Sequence, residues 1–118
     1  MKQEVGFDKT HRLLTKIEYD HVFSQAKKLG SSYFIVLYRN NNLGHARLGL
    51  ALSKKMIAKS HDRNRIKRIL RETFRLNMQL PTVDIIVLAR PNISKIKNSI
   101  IINSLNETWN LLTCSCKK

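Results

Sequence analysis

The densest cluster of chemically similar side chains in this chain is the set of basic residues in "SHDRNRIKRILRETFR", Ser60 to Arg75. Their ammonium and guanidinium groups bind phosphate, and the planar guanidinium can do so with two parallel hydrogen bonds. At about 100° per residue, a helix over this stretch gathers five polar side chains on one strip of its surface, away from its apolar side. This strip, here called the basic ridge, consists of Asn64, Lys67, Arg68, Arg71 and Arg75.

The signs of the charges on the basic ridge favour an external partner over simple solvation. Solvated helix faces usually mix acidic and basic residues, whereas like charges stand four residues apart at Lys67/Arg71 and Arg71/Arg75, which destabilises an isolated helix. The whole chain of 118 residues has 22 Lys and Arg against 8 Asp and Glu, a formal charge of +14. Such an excess predicts a polyanionic partner, with nucleic acid ahead of an anionic membrane.

A membrane is the weaker of these two partners. The longest apolar run, 85–89, is far too short to span a bilayer, and the N-terminus has no hydrophobic signal-peptide region. We therefore expect no membrane contact and a cytoplasmic protein.

The remaining chemically versatile side chains do not form a recognisable active site. The four histidines are scattered, and a two-metal nuclease needs several converging carboxylates, of which this chain has few. Asp84, inside an apolar run, could be a metal ligand, but pairing with a basic residue is the favoured interpretation. Cys114 and Cys116 have poor spacing for zinc or a disulfide, so we interpret them as reduced and incidental. We predict no catalytic residue and no metal ligand within the protein.

A single domain over residues 1–118 must position these groups, with loosely ordered tails expected at 1–12 and 113–118. Apolar periodicity and turn residues predict the secondary structure. Helices are expected at about 15–28, 57–79 and 94–112. Strands are expected at 32–39, 45–53 and 83–89. The first two strands are expected to form a hairpin, and the order predicts an α+β fold with one sheet covered by helices.

The apolar positions of the two later helices identify the sides that are expected to pack in the core. Helix 57–79, expected to stop before Pro81, has a continuous apolar side. Its members are Ile66, Ile69, Leu70, Thr73, Phe74, Leu76 and Asn77. Helix 94–112 begins with Ser94 as its expected N-cap. Its apolar positions are Ile96, Ile100, Leu105 and Trp109.

A second candidate surface comes from the first helix and the first strand. Tyr19 and Phe23 stand four residues apart on the helix, and the strand alternates two apolar faces. One face holds Phe34, Val36 and Tyr38, and the other holds Tyr33, Ile35 and Leu37. Either face could simply be core, but helices on one side leave the other open, and exposed aromatic rings stack on unpaired bases. Lys54 and Lys55 could add phosphate contacts beside them.

The kind of nucleic acid is narrowed by the elements around the basic ridge. A helix-turn-helix motif needs a short helix before the recognition helix, where this chain is predicted to be β-structure. The ridge is a broad flank without an obvious base-reading set, which suits the phosphates of a folded RNA. A general RNA-binding or ribosomal protein, and a binder of double-stranded DNA, remain open alternatives.

Several stretches resemble one known family. "RNRIKRILRETFR" resembles the signature of the bacterial ribonuclease P protein component, and "ARLGLALSKK" is similar to the strand and turn that precede that signature. "HRLLTKIEYDHVF" and "VDIIVLARP" resemble its N-terminal helix region and its last strand. Together these stretches cover most of residues 11–112. Tyr19 stands where the family frequently has Phe.

The resemblance implies a fold and a partner. The fold is a four-stranded sheet in α-β-β-β-α-β-α order, with a left-handed crossover around the basic helix, like domain 2 of ribosomal protein S5. The implied function is that of a cytoplasmic ribonucleoprotein, an endonuclease that removes the 5′ leader of precursor tRNA. In it the catalytic RNA subunit does the hydrolysis with bound Mg²⁺, and the protein binds no small-molecule substrate.

The resemblance, taken with the two surfaces above, also predicts which residues bind RNA. The predicted RNA-subunit set is Arg63, Asn64, Arg65, Lys67, Arg68, Arg71 and Arg75. The predicted leader-binding set is Tyr19, Phe23, Phe34, Val36, Tyr38, Lys54 and Lys55.

Overall fold

A computed structural model describes residues 12–13, 15–41, 45–76, 82–91 and 93–115. The elements are α1 (Lys16–Gln25), β1 (Lys27–Gly30), β2 (Phe34–Asn40), β3 (Arg47–Ala51), α2 (Ser60–Leu76), β4 (Val83–Ala89) and α3 (Asn98–Ser115). The strands form one mixed sheet in the order β1-β2-β4-β3. The α+β class, the four strands and the α-β-β-β-α-β-α order are therefore confirmed.

The first helix is shorter than predicted because the backbone becomes extended at Ala26, before the predicted end of the helix. Thr15 caps α1 through a reciprocal pair of hydrogen bonds with Glu18, and Ala26 leaves the helix with φ −73° and ψ 145°. The residues that follow form β1, an edge strand antiparallel to β2, and not the end of the helix. Apolar periodicity did not predict this strand, because Ala26 continues the helical spacing and β1 is mostly exposed.

The two strands predicted at 32–39 and 45–53 correspond to β2 and β3, and the predicted hairpin between them is wrong. β4 lies between them, antiparallel to β2 and parallel to β3. Six of the seven residues of β4 are buried, so this strand needs cover on both faces and a neighbour on each side. The centre of the sheet meets that need, and β3 is displaced to the other edge. The crossover from β3 to β4 carries α2.

One face of the sheet builds the main core with α2 and α3. The buried side of α2 consists of Ile66, Ile69, Leu70, Thr73 and Phe74, as predicted. Trp109 of α3 is fully buried, packs edge-on against Phe74, and donates its indole N–H to the Thr73 hydroxyl at 3.0 Å. The hydroxyl thus satisfies the polar atom of the largest core side chain.

The ends of α2 and α3 differ from the predicted ones. α2 begins at Ser60 and not near 57, and Leu76 is 67% exposed instead of buried. Asn77 and Pro81 lie outside the described residues. The predicted cap Ser94 lies in a short 3₁₀ turn, and α3 begins only at Asn98.

Two further corrections concern the last helix and the tails. Leu105 and Trp109 are buried as predicted, but Ile100 is 44% exposed and Ile101 takes its place in the core. The tails expected to be loose lie mostly outside the described residues. The exceptions are Arg12, which forms a β-bridge with Leu48, and 113–115, which continue α3.

The opposite face of the sheet holds α1 through a small core and an ion-pair cluster. Val22 packs with Ile86 of β4. Beside them Arg47 makes two 2.8 Å hydrogen bonds to the Asp84 carboxylate and one of 2.9 Å to Glu18 of α1. The pairing favoured for Asp84 from the sequence is thus confirmed, and the cluster joins β4, β3 and α1.

The cluster fixes the protonation state of Asp84. Burial alone would raise the pKa of this carboxyl group, but hydrogen bonds from Arg47 and Asn41 and the charge of Arg47 outweigh it, so the pKa is lowered. The pKa of Arg47 is raised in turn, chiefly by its hydrogen bonds to Asp84. Both groups are therefore charged at neutral pH.

Tyr19 closes the exposed edge of β3. Its hydroxyl accepts a 3.1 Å hydrogen bond from the Leu50 N–H, and Leu13 donates its N–H to the Leu48 carbonyl at 3.0 Å. Gly49 makes this approach possible, because a Cβ there would lie 2.9 Å from the Tyr19 ring. Edge-strand groups that could pair with another chain are covered in this way.

None of the helices in the described part of the chain is long and apolar enough to cross a membrane.

Replacing Asp84 by Asn should cost about 3 kcal/mol of unfolding free energy at pH 7, because it leaves the Arg47 charge poorly compensated. The measurement is urea denaturation. The folded pKa of Asp84 lies below its unfolded value of about 3.9, so its contribution is present above that pH and lost as pH falls through the folded pKa. The wild type should therefore lose stability more steeply below pH 5 than Asp84→Asn.

Asp20→Asn is the matched control, since Asp20 pairs with Lys16 on the exposed surface of α1 and its loss should change stability little. An Asp84→Asn variant as stable as the wild type at pH 7 would contradict the role given to the cluster.

Gly49→Ala should destabilise the protein by about 2 kcal/mol, because the new methyl group must push Tyr19 and α1 away from β3. Thermal unfolding measures the loss, and faster hydrogen exchange at the Leu50 amide reports the broken bond. Gly30→Ala is the control: its Cβ would meet only the flexible end of Arg90, at 3.2 Å. Equal effects at both positions would argue against the close approach of Tyr19.

Candidate nucleic-acid interface

The basic ridge lies on the outer side of α2, as predicted. Asn64, Arg68 and Arg71 are exposed and Lys67 is half-buried. None of these four side chains forms a hydrogen bond or an ion pair with any residue that the structure describes. The positive charge of Lys67, Arg68 and Arg71 is therefore not neutralised by carboxylates within the described fold.

Arg75, the last member of the basic ridge, differs from the others. Its guanidinium forms an ion pair with Glu72, one turn earlier on the same helix. Glu72 stands beside the ridge, and this pair reduces the charge at its C-terminal end. The part of the ridge that can receive a polyanion is consequently centred on Lys67, Arg68 and Arg71.

The two arginines of the R-N-R motif bind the protein's own backbone. Arg63 donates from Nη1 to the carbonyls of Ile57, at 2.8 Å, and Ala58, at 3.1 Å. These contacts hold the turn between β3 and α2 against the start of the helix. Arg63 belongs to the predicted RNA-subunit set, and within the fold its guanidinium supports this turn.

Arg65 makes a similar connection on the other side of α2. Its Nη2 donates to the Ser94 carbonyl at 2.8 Å, and its Nη1 donates to the Ile96 carbonyl at 3.4 Å and to the Asn98 side chain. These contacts tie α2 to the turn that precedes α3. This difference could not be predicted from the sequence, because Arg63, Arg65 and Arg68 are chemically the same side chain.

Three members of the predicted leader-binding set are core residues. Phe34 and Val36 are fully buried and Tyr38 is 8% exposed, and all three pack beneath α2 and α3. Their prediction as an open stacking surface is wrong. Strand alternation correctly placed them on one face, but it cannot say which of two apolar faces the helices cover.

The other face, on which strand alternation placed Ile35 and Leu37, was not included in the predicted leader-binding set. Ile35 stands opposite Leu88 in β4, and Leu88 stands opposite Ala51 in β3. This row is half-buried and lies one step along the strands from the row over which α1 packs. The row is therefore an apolar strip of the sheet that α1 leaves partly open to solvent.

Phe23 of α1 is 46% exposed. On α1 it lies about 140° around from Glu18, whose contact with Arg47 fixes the opposite margin of the helix. Phe23, Ile35, Ala51 and Leu88 together form a surface here called the apolar groove. An exposed aromatic ring over an apolar floor can stack an unpaired base.

Tyr19 belongs to the predicted leader-binding set but is half-buried and held by its hydroxyl against β3. It forms the support for α1 at the β3 end, one turn before Phe23. A Phe at this position could fill the same space but could not accept the Leu50 N–H.

Cations stand around the apolar groove. Lys54 and Lys55 are exposed in the turn after β3, as predicted, and their side chains form no hydrogen bond or ion pair with the described residues. Lys28 is exposed on β1 and stands opposite Leu37, on the α1 face. Arg90 follows β4 and donates from Nε to the Ser31 carbonyl at 2.7 Å. The apolar side chains named for the groove thus have exposed or half-buried cations on neighbouring segments.

The described residues contain no group of three or more His, Cys, Asp or Glu side chains that could hold a metal ion. Asp84, the most buried carboxylate among them, is occupied by Arg47 and Asn41. The arrangement of unpaired cations on α2 can bind polyanions.

Comparison with known proteins places the chain in a family. The family model for ribonuclease P matches residues 7–113. A protein from Legionella pneumophila strain Lens, called ribonuclease P protein component, is 61% identical over 111 residues, covering 94% of this chain and 96% of that protein. The protein of the same name from Methylococcus capsulatus is 44% identical over 115 residues, covering 97% and 90%.

Solved structures show the same architecture. The RNase P protein from Staphylococcus aureus has a TM-score of 0.81 and 30% identity, covering 87% of this chain and 95% of that one. The RNase P protein from Thermotoga maritima has a TM-score of 0.74 and 32% identity, covering 86% and 94%. By sequence and by fold, the chain belongs to the family of bacterial ribonuclease P protein components.

Proposed function

We propose that this chain binds the catalytic RNA of ribonuclease P through the basic ridge, and holds the 5′ leader of precursor tRNA in the apolar groove. Family membership makes the protein a component of ribonuclease P, and the alternative of a general RNA-binding or ribosomal protein is not favoured. The observation that carries the docking proposal is the unneutralised charge of Lys67, Arg68 and Arg71.

The two surfaces suit two different RNA ligands. The basic ridge is convex, exposed and rich in guanidinium, which favours the phosphates of a folded RNA. The apolar groove has one exposed aromatic ring and flanking lysines, which favours one unpaired strand. We assign the catalytic RNA to the ridge and the leader to the groove, in the cytoplasm.

The chemistry is assigned to the RNA subunit. Mg²⁺, when bound there, would activate the attacking water and stabilise the leaving oxygen. The described protein residues do not fit such an ion, because they lack a converging set of carboxylates. The protein's contribution is to neutralise phosphate repulsion and to retain the substrate.

Cleavage of precursor tRNA at low Mg²⁺ tests this division of roles. The catalytic RNA alone should cleave slowly, and adding the protein should restore cleavage because its cations replace part of the Mg²⁺ that screens phosphates. The protein alone should give no cleavage. Cleavage by the protein without RNA would overturn the assignment. Failure to restore cleavage would favour the alternative of a general RNA-binding protein.

Arg68→Ala/Arg71→Ala should weaken binding to the catalytic RNA by at least about tenfold at 0.15 M salt and flatten the salt dependence. If about six phosphates are contacted, the wild-type affinity should fall on the order of a thousandfold between 50 and 200 mM salt. The measurement is filter binding across that range. Lys16→Ala/Lys27→Ala removes the same charge elsewhere and should change affinity less than about twofold. Equal losses in both variants would mean that only net charge matters.

Phe23→Ala should lower the affinity of the assembled enzyme for precursor tRNA with a long leader by roughly 5- to 100-fold, the range expected for one lost base stack. Affinity for tRNA without a leader should not change. Ile17→Ala is the matched control, because Ile17 is an exposed apolar residue on another side of α1. If Phe23→Ala affects both substrates equally, the groove does not bind the leader.

A further inference from the structure

The turn that precedes α3 carries two lysines that neither the family signature nor the charge pattern of α2 singles out. Lys95 and Lys97 are exposed, and they make no hydrogen bond or ion pair with the described part of the chain. They alternate along the chain with Ser94 and Ile96, the residues whose carbonyls accept from Arg65. The backbone of the turn is therefore fixed to α2 while both lysines remain free.

Arg65 places this turn next to the basic ridge. Arg68 stands one turn after Arg65 on α2, about 60° around the helix on the solvent side. The Arg65 side chain is 28% exposed. Its guanidinium extends from α2 to the turn and donates to the Asn98 side chain at the start of α3. Lys95 and Lys97 consequently extend the positive surface from α2 across to the start of α3.

Carboxylates near this extension are few. Asp62 lies 4.0 Å from Arg65 Nε, so the carboxylate nearest to this extension already faces Arg65. The first turn of α3 has no acidic residue. The charges of the two lysines, like those of Lys67, Arg68 and Arg71, are thus not neutralised by carboxylates of the described residues.

We propose that the RNA-binding surface continues from the basic ridge onto Lys95 and Lys97, and that Arg65 is a positioning residue that holds them there. This inference rests on the proposed function, because it takes the partner to be the catalytic RNA. It changes the role of one arginine of the motif: Arg65 contributes to binding through the turn that it fixes. The chemistry recognised is the phosphate backbone of a folded RNA.

The experiment measures binding of the full chain to the catalytic RNA subunit without tRNA, between 50 and 300 mM salt. Lys95→Ala/Lys97→Ala should lose about tenfold in affinity at 0.15 M, and the slope of log K against log salt should become shallower by about 1.5. Lys16→Ala/Lys27→Ala, of equal charge change on α1 and β1, should stay within about twofold of the wild type.

Arg65→Lys tests the positioning role, because it keeps the charge but cannot reach two carbonyls and an amide oxygen at once. It should weaken binding in the wild-type chain by about fivefold, yet have little effect when Lys95 and Lys97 are already alanine. A residue needed only for folding, or one that touches RNA directly, would give the same loss in both backgrounds. Thermal unfolding confirms that each variant is folded at the assay temperature.

The outcomes separate this inference from the proposed function. If the wild type binds and Lys95→Ala/Lys97→Ala binds equally well, the extended surface is refuted and the basic ridge stands. If Arg65→Lys loses the same factor in both backgrounds, its positioning role is refuted. If the wild type itself does not bind the catalytic RNA, the proposed function fails first.

Discussion

The unneutralised charge along α2 is the constraint on which the rest of the molecule depends. Like charges four residues apart disfavour the isolated helix, so its stability must come from its other side. That side buries Ile66, Leu70 and Phe74 against the sheet and α3. Core packing fixes the rotation of the helix, and the same rotation presents the basic ridge to solvent. Carboxylates of the described residues do not offset the repulsion among Lys67, Arg68 and Arg71.

The sheet separates this dry core from a second, less complete one. On the α1 face, burial stops after a small cluster around Val22 and Ile86, and the Arg47 ion pairs supply what a larger core would otherwise give. Because α1 covers only part of this face, the row of Ile35, Leu88 and Ala51 is left at its margin. The incomplete core and the half-buried apolar row beside α1 are thus one feature of the structure.

Much of this architecture could be predicted from the sequence, and the failures have physical causes. The apolar side of α2 and the apolar run of β4 are strong local signals, and both were placed correctly. The hairpin was wrong because pairing is decided by which strand most needs burial, and β4 needs it more than β3 does. The prediction that the strand face with Val36 is open, and not the face with Leu37, was wrong. Strand alternation separates two apolar faces but does not indicate which of them the helices cover. Individual arginines could not be told apart, since the carbonyls that bind Arg63 and Arg65 come from turns that are distant in sequence or irregular.

The most direct test of the account is the reactivity of each arginine toward phenylglyoxal, followed by mass spectrometry of the free and the RNA-bound protein. In the free protein Arg68 and Arg71 should react readily, while Arg47, held between two carboxylates, should react slowly. Saturating catalytic RNA should protect Arg68 and Arg71 strongly and leave Arg47 unchanged. Continued reactivity of Arg68 and Arg71 in the complex would contradict the claim that the ridge is where the RNA docks.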